Sequence, residues 1–289
     1  MIKTKVVSEN KIKVPRIEHD QQEVKGADWF PTKYPNMYAC SMKGSGKTVA
    51  LTNAMWHCIG SKTKVIICCP TVNIDPTYIA TVKKLNKSGY SVETFSGIVD
   101  DGVNVIEDFL IEQKDNELKD NTNTAAGLAI GTVVAKPVRT LLFGGSNATV
   151  KPVVKPIAKP AAVEKKVKGR KITPDWIIII DDCGAEARNK FVQQLMKINR
   201  HYHAMVLVAS QDLHDLAPSS IKQLQYVLLF ARFPLEKLVS LYKSLELSIP
   251  LDKFLEYYHD ATSQKYGFLY IGRESSGDVF RKNYTEQYI

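Results

Sequence analysis

The chain has 289 residues, 44% of them hydrophobic and 24% charged, with a formal net charge of +9 at pH 7. That length suits one α/β domain with appendages and buries a substantial core without disulfide or metal staples, which sets aside the small cross-linked classes. Every apolar run is shorter than a bilayer span requires, and the starting MIKTKVV lacks the apolar stretch of a secretory signal, so the expectation is an intracellular protein without a membrane span.

The first ordered pattern is Met37–Cys40, a short apolar run predicted as a strand. It runs into SMKGSGKT, Ser41 to Thr48, the glycine-rich phosphate-binding pattern with a serine where the first glycine usually stands. Such a loop needs small residues so that successive backbone N–H groups turn inward around phosphate oxygens at a helix N-terminus, where the dipole also favours negative charge. Ser41, Gly44, Ser45, Gly46, Lys47, Thr48 and Val49 are therefore the candidate nucleotide contacts. Lys47 is assigned to the β- and γ-phosphates and Thr48 to Mg²⁺. A serine fits the first position if its φ is negative, so the loop reads as a variant and not as a dead site. Val49, Ala50, Leu51, Ala54, Met55 and Cys58 then recur with helical spacing, predicting a helix over Lys47–Cys58.

A strand is expected at Val65–Cys69, a helix at Tyr78–Asn86, a strand at Ser91–Phe95 and a helix at Val103–Leu118. Asn86-Lys87-Ser88-Gly89 fails the N-K-x-D guanine signature, which argues against a GTPase switch. Asp100 to Asp120 is locally acidic, whereas Lys136 to Lys171 holds ten basic residues against Glu164 alone. Its stretch KPVVKPIAKPAAVEKKVKGRK has the composition of an extended, polyproline-like tether. A flexible basic arm of this kind either grips phosphates without sequence preference or only keeps the chain in solution.

Trp176–Ile180 is a continuous β-branched run, the mark of a strand buried on both faces, and Asp181 and Asp182 emerge at its carboxyl end, where open α/β sheets bind ligands. Asp181 is assigned to Mg²⁺ and Asp182 to orienting or deprotonating the attacking water, with the two roles exchangeable and Glu186 a rival base. A helix follows at Asn189–Asn199, then Arg200, then a second buried strand, Met205–Ala209, ending in Ser210 and Gln211. If the two strands are neighbours, Gln211 lies beside the carboxylates as a γ-phosphate sensor. Arg200 would sit at the opposite end of the sheet, either as a solvated helix-end cation or as an arginine finger for a neighbouring subunit. A strand at Tyr226–Phe230, helices at Leu235–Leu247 and Leu251–His259, and a hairpin of Tyr266–Ile271 with Val279–Tyr284 turning at Ser275–Gly277 complete the chain. The fold class is α/β, a mostly parallel central sheet covered by helices on both faces with a C-terminal β-hairpin. The five cysteines, Cys40, Cys58, Cys68, Cys69 and Cys183, show no C-x-x-C spacing and read as reduced core thiols; His201 and His203 complete no metal-ligand pattern.

The string ACSMKGSGKT, CCPT at Cys68 to Thr71, WIIIIDD, NRHYHAMVLVASQ from Asn199 to Gln211, YVLLFAR from Tyr226 to Arg232 and the strand pair around YGFLYIG resembles the poxvirus-type genome-packaging ATPases of large DNA viruses, virophages and related transposons, a branch of the HerA–FtsK P-loop superfamily. The resemblance covers Trp29 to Tyr284 apart from an insert at Gln113 to Lys171. It divides the chain into an N-terminal extension (1–28), two parts of one ATPase domain (29–112 and 172–289) and the insert (113–171). It implies ATP and Mg²⁺ as cofactors, Arg200 as a trans-acting arginine and Gln211 as the sensor. It further implies a virus-encoded homo-oligomeric ring at the virion assembly site, with double-stranded DNA and a capsid or portal-vertex protein as partners. Within the same class stands a HerA–FtsK-like translocase of conjugation or chromosome handling, and from another class a nucleotide-regulated DNA-binding scaffold with little turnover. No segment after Tyr226 is long enough for a separate nuclease domain.

Overall fold

The computed structural model describes residues 22–116, 118, 171–274 and 277–289. The chain divides into two units, Met1–Leu110 with Arg170–Ile289, and Ile111–Gly169. Most of the expected N-terminal extension and basic insert, together with Ser275 and Ser276 of the expected hairpin turn, lie outside the described residues.

In the first unit the strands are β1 (Asn36–Cys40), β2 (Lys64–Cys68), β3 (Val92–Phe95), β4 (Val99–Asp100), β5 (Val103–Asn104), β6 (Trp176–Asp181), β7 (Ala204–Ser210), β8 (Tyr226–Phe230), β9 (Phe268–Glu274), β10 (Gly277–Lys282) and β11 (Glu286–Gln287). The helices are α1 (Lys47–Cys58), α2 (Pro76–Lys87), α3 (residues 105–116, of which 111–116 belong to the second unit), α4 (Lys190–Ile198), α5 (Pro218–Ile221), α6 (Leu235–Leu245) and α7 (Leu251–Ala261). Nine strands form one sheet in the order β11-β10-β9-β8-β1-β7-β6-β2-β3, while β4 and β5 pair separately. From β8 to β3 the neighbours run parallel, and β9, β10 and β11 continue the sheet antiparallel.

The run of isoleucines explains the layering. Successive side chains of a strand point to opposite faces, so Ile177 and Ile179 share a core with Leu51 and Met55 of α1 and with Tyr78 and Leu85 of α2. Ile178 and Ile180 meet Val192 and Leu195 of α4 on the other face. All of β6 is buried, which is why its sequence shows no polar alternation. Truncating one such isoleucine to alanine costs about 2–5 kcal/mol.

Helix starts follow local chemistry. Asp75 accepts from Thr77 N at 2.7 Å ahead of Pro76 at the start of α2, and Asn189 accepts from Phe191 N at 2.9 Å ahead of α4. The expected helix Val103–Leu118 begins two residues late, because Asn104 Oδ1 caps it by accepting from Ile106 N at 3.1 Å and Glu107 N at 3.0 Å. That cap leaves Val103 and Asn104 to pair with β4. The expected C-terminal hairpin is present, with its first strand starting later than expected: β9 begins at Phe268, because Tyr266 is held at φ +67, outside the range of a strand residue. No helix among the described residues is long and apolar enough to cross a membrane.

Candidate active site

Strand order brings the candidate site loops together. β7 lies between β1 and β6, with Cys40 opposite Ser210 and Ala209 opposite Asp181. The loop after β1, the carboxylates ending β6 and Gln211 after β7 therefore leave the same sheet edge at one level. They border a cleft of about 970 Å³ whose lining includes Lys47, Thr48, Asp181, Asp182 and Gln211.

The loop itself is built for close approach. Gly44 takes φ +78 and Gly46 φ +96, a backbone region that side chains with a Cβ rarely enter. A Cβ on Gly46 would also lie 3.2 Å from the Tyr266 ring. α1 begins directly after Gly46 with no side-chain cap and no acidic residue in its first turn, so its leading N–H groups are left for an incoming anion. Ser45 Oγ donates to Met42 O at 2.8 Å, folding the loop back on itself. Ser41 has no positive φ, and its N–H donates to Ser210 O at 3.1 Å, extending the β1–β7 ladder. Its N–H is spent in the sheet and its side chain is fully buried, so among the loop residues Ser41 supports the fold of the loop and does not line the cleft.

The two carboxylates differ in environment. Asp181 is buried; its Oδ2 accepts from Thr48 Oγ1 at 2.9 Å and from Tyr78 OH at 2.8 Å. Burial pushes its pKa above the ordinary carboxylate range, against the Tyr78 hydrogen bond and the Lys47 charge. Its Oδ1 is buried with no hydrogen-bond partner. An unpartnered oxygen on a carboxylate whose other oxygen meets a threonine hydroxyl is a donor set that fits a hard divalent cation, so Asp181 and Thr48 are the residues that would hold Mg²⁺. Asp182 is exposed, sits at φ +54, which aspartate tolerates better than most residues, and forms an ion pair with the buried Lys47 side chain.

Gln211 is exposed at the cleft, and the residues on either side of it are anchored. Tyr38 OH lies 2.7 Å from Ser210 Oγ and donates to Asp212 O at 2.9 Å, while the Asp212 carboxylate pairs with Lys237 of α6. Glu186 is turned elsewhere: its Oε2 accepts from Ile98 N at 2.9 Å and Val99 N at 3.4 Å and holds the loop that leads into β4. Arg200 precedes β7 at the other end of the sheet, roughly 20 Å along that strand from Gln211. There it borders an open cleft of about 660 Å³ together with Lys222, Arg273 and Glu274.

Sequence reasoning passed over two residues. Tyr78 reaches Asp181 across 103 positions, a contact that only the packing of α2 on the sheet creates. Tyr266 lies against Gly46 and, with the exposed Val49 and Ile74, gives the cleft an apolar wall. Its left-handed backbone carries no sequence signal beyond the glycine that follows.

No protein-family model matches the chain, and no curated protein matches it. Among solved structures it is similar to the genome packaging NTPase of Sulfolobus turreted icosahedral virus 2 in complex with AMP, at 13% identity over 86% of this chain and 97% of that one, with a TM-score of 0.47. The same NTPase in complex with ATP-gammaS matches at 13% identity over 86% of this chain and 97% of that one, with a TM-score of 0.46. The cytoplasmic domain of the Thermomonospora curvata type VII secretion ATPase EccC matches at 11% identity over 85% of this chain and 25% of its own, with a TM-score of 0.45.

Proposed function

We propose that this chain is an ATP hydrolase that moves double-stranded DNA into a viral capsid. The observation that carries the hydrolase reading is the meeting of Lys47, Thr48, Asp181, Asp182 and Gln211 at one cleft from three separate stretches of sequence. The DNA-packaging reading is supported by the ordered motif string and by the excess of positive charge on the Lys/Pro-rich segment.

In this reading the N–H groups from Gly44 to Thr48 receive the phosphates and Lys47 is drawn from Asp182 to the β- and γ-oxygens. Asp182, released from its partner, is then free to accept a proton from the attacking water, and Gln211 holds that water and the terminal phosphate. Mg²⁺ at Thr48 and Asp181 would offset negative charge on the phosphate oxygens. The apolar wall at Val49, Ile74 and Tyr266 suits the nucleobase. Arg200, remote from its own subunit's cleft, serves a neighbour's in a homo-oligomeric ring, and the ring docks on a capsid or portal-vertex protein at the site of virion assembly.

Steady-state ATPase measured with and without long duplex DNA tests the proposal. A motor hydrolyses ATP faster when DNA is present; a rate indifferent to DNA leaves a nucleotide-regulated scaffold, and no hydrolysis under either condition removes the enzyme reading.

A further inference from the structure

Two donors converge on one oxygen of the buried carboxylate. Thr48 Oγ1 reaches Asp181 Oδ2 at 2.9 Å from the phosphate loop, and Tyr78 OH reaches the same oxygen at 2.8 Å from α2. The Tyr78 side chain is fully buried, so packing and not solvent sets where its hydroxyl lies. A neutral phenol can donate to a carboxylate, whereas the carboxylate has nothing to give back but lone pairs. With Oδ2 held by both donors, rotation of the carboxylate is blocked and Oδ1 stays buried without a partner. Buried oxygens of this kind are costly unless a polar or cationic group meets them.

We infer that Tyr78 is a positioning residue: from α2 it fixes Asp181 through Oδ2 and thereby keeps Oδ1 available to a divalent cation. The inference rests on the nucleotide reading above and adds to it a connection. Asp75, Pro76 and Thr77, immediately before Tyr78, line the same cleft, so the helix that walls the nucleotide also orients the carboxylate that receives its cation.

The test is Tyr78→Phe in the full chain, which keeps the ring and removes the donor. Affinity for a fluorescent non-hydrolysable ATP analogue is titrated in EDTA and again in excess Mg²⁺. Affinity in EDTA is expected to match the wild type, while the gain produced by Mg²⁺ shrinks about tenfold or more, the usual consequence of losing a group that orients a metal ligand. An undiminished Mg²⁺ gain overturns the assignment. Equal loss in both conditions, including loss through misfolding, overturns it too, since a residue acting only through Asp181 leaves metal-free binding intact. A wild-type protein that binds no analogue in either condition sinks the nucleotide reading itself, so the two failures are told apart.

Discussion

Lys47 and Asp182 neutralise one another in the cleft, the lysine side chain buried and the aspartate exposed. One group binds phosphate in the proposed reaction and the other activates water, so each is occupied by the other until nucleotide arrives.

Their substitutions should part company. Lys47→Ala removes a charge-assisted contact to phosphate and is expected to weaken ATP binding by about 1.5–3 kcal/mol. Asp182→Asn keeps a residue that tolerates the left-handed backbone at this position, so binding persists while turnover falls by roughly 10²–10⁴. Equilibrium binding and single-turnover hydrolysis on the two variants check this. Normal turnover in Asp182→Asn with loss in Glu186→Gln would transfer the base to Glu186, against the hydrogen bonds that turn it to Ile98 and Val99.

Arg200 should act between subunits. Rings mixed from Arg200→Ala and Lys47→Ala subunits create interfaces at which an intact loop meets an intact arginine, and partial ATPase should return on mixing. Mixed rings without recovery count against a trans role, and full activity in Arg200→Ala alone removes the residue from catalysis.

The basic segment is expected to hold DNA without shaping the ATP site. Deleting Lys151–Arg170 behind a Gly/Ser linker spares Lys171, which meets Glu23 at 2.8 Å, and Ile172, which bridges to Val24. DNA-independent ATPase should persist, duplex binding should weaken equally for all sequences, and its salt slope should flatten by about one for each phosphate that the shortened chain no longer neutralises. An unchanged slope would mean that the segment touches no DNA.

All five cysteines are free and buried, and burial pushes the thiols of Cys40, Cys58 and Cys68 each up to about 12. The thiolate is the reactive species and forms only as pH rises toward those values. Iodoacetamide at pH 8 should therefore leave these three unlabelled in the native protein and modify them after denaturation, read by mass spectrometry. Native labelling of Cys40 would show that the end of β1 opens.

Much of this architecture was legible because burial leaves a mark on composition. Trp176–Ile180 and Tyr226–Phe230 read as strands since both faces are covered, and the helix Lys47–Cys58 read cleanly because its buried positions recur at helical spacing. Lys47, Thr48 and the aspartates were legible by motif. Illegible were features made by distant pairing: the placement of β7 between β1 and β6, the Tyr78–Asp181 bond, and the use of the Ser41 N–H in the sheet. The start of α3 was legible in principle, because Asn104 with Glu107 three residues on is a capping pattern, but valine at 103 suits helix and strand alike in so short a run.

The place of β1 between β7 and β8 also governs how the molecule can be made. Asn36 pairs with Val206 and Met37 with Tyr226, so the central strand has no partner while the first half of the chain leaves the ribosome. Its two edges wait with backbone N–H and C=O groups unpaired, and its apolar side chains uncovered, until residues from far along the sequence arrive, and pairings of such long range are slow to form and prone to intermolecular association meanwhile. Synthesis of the phosphate loop thus precedes its support by the whole span to β7, and a chain released early would carry the motif without a sheet to hold it.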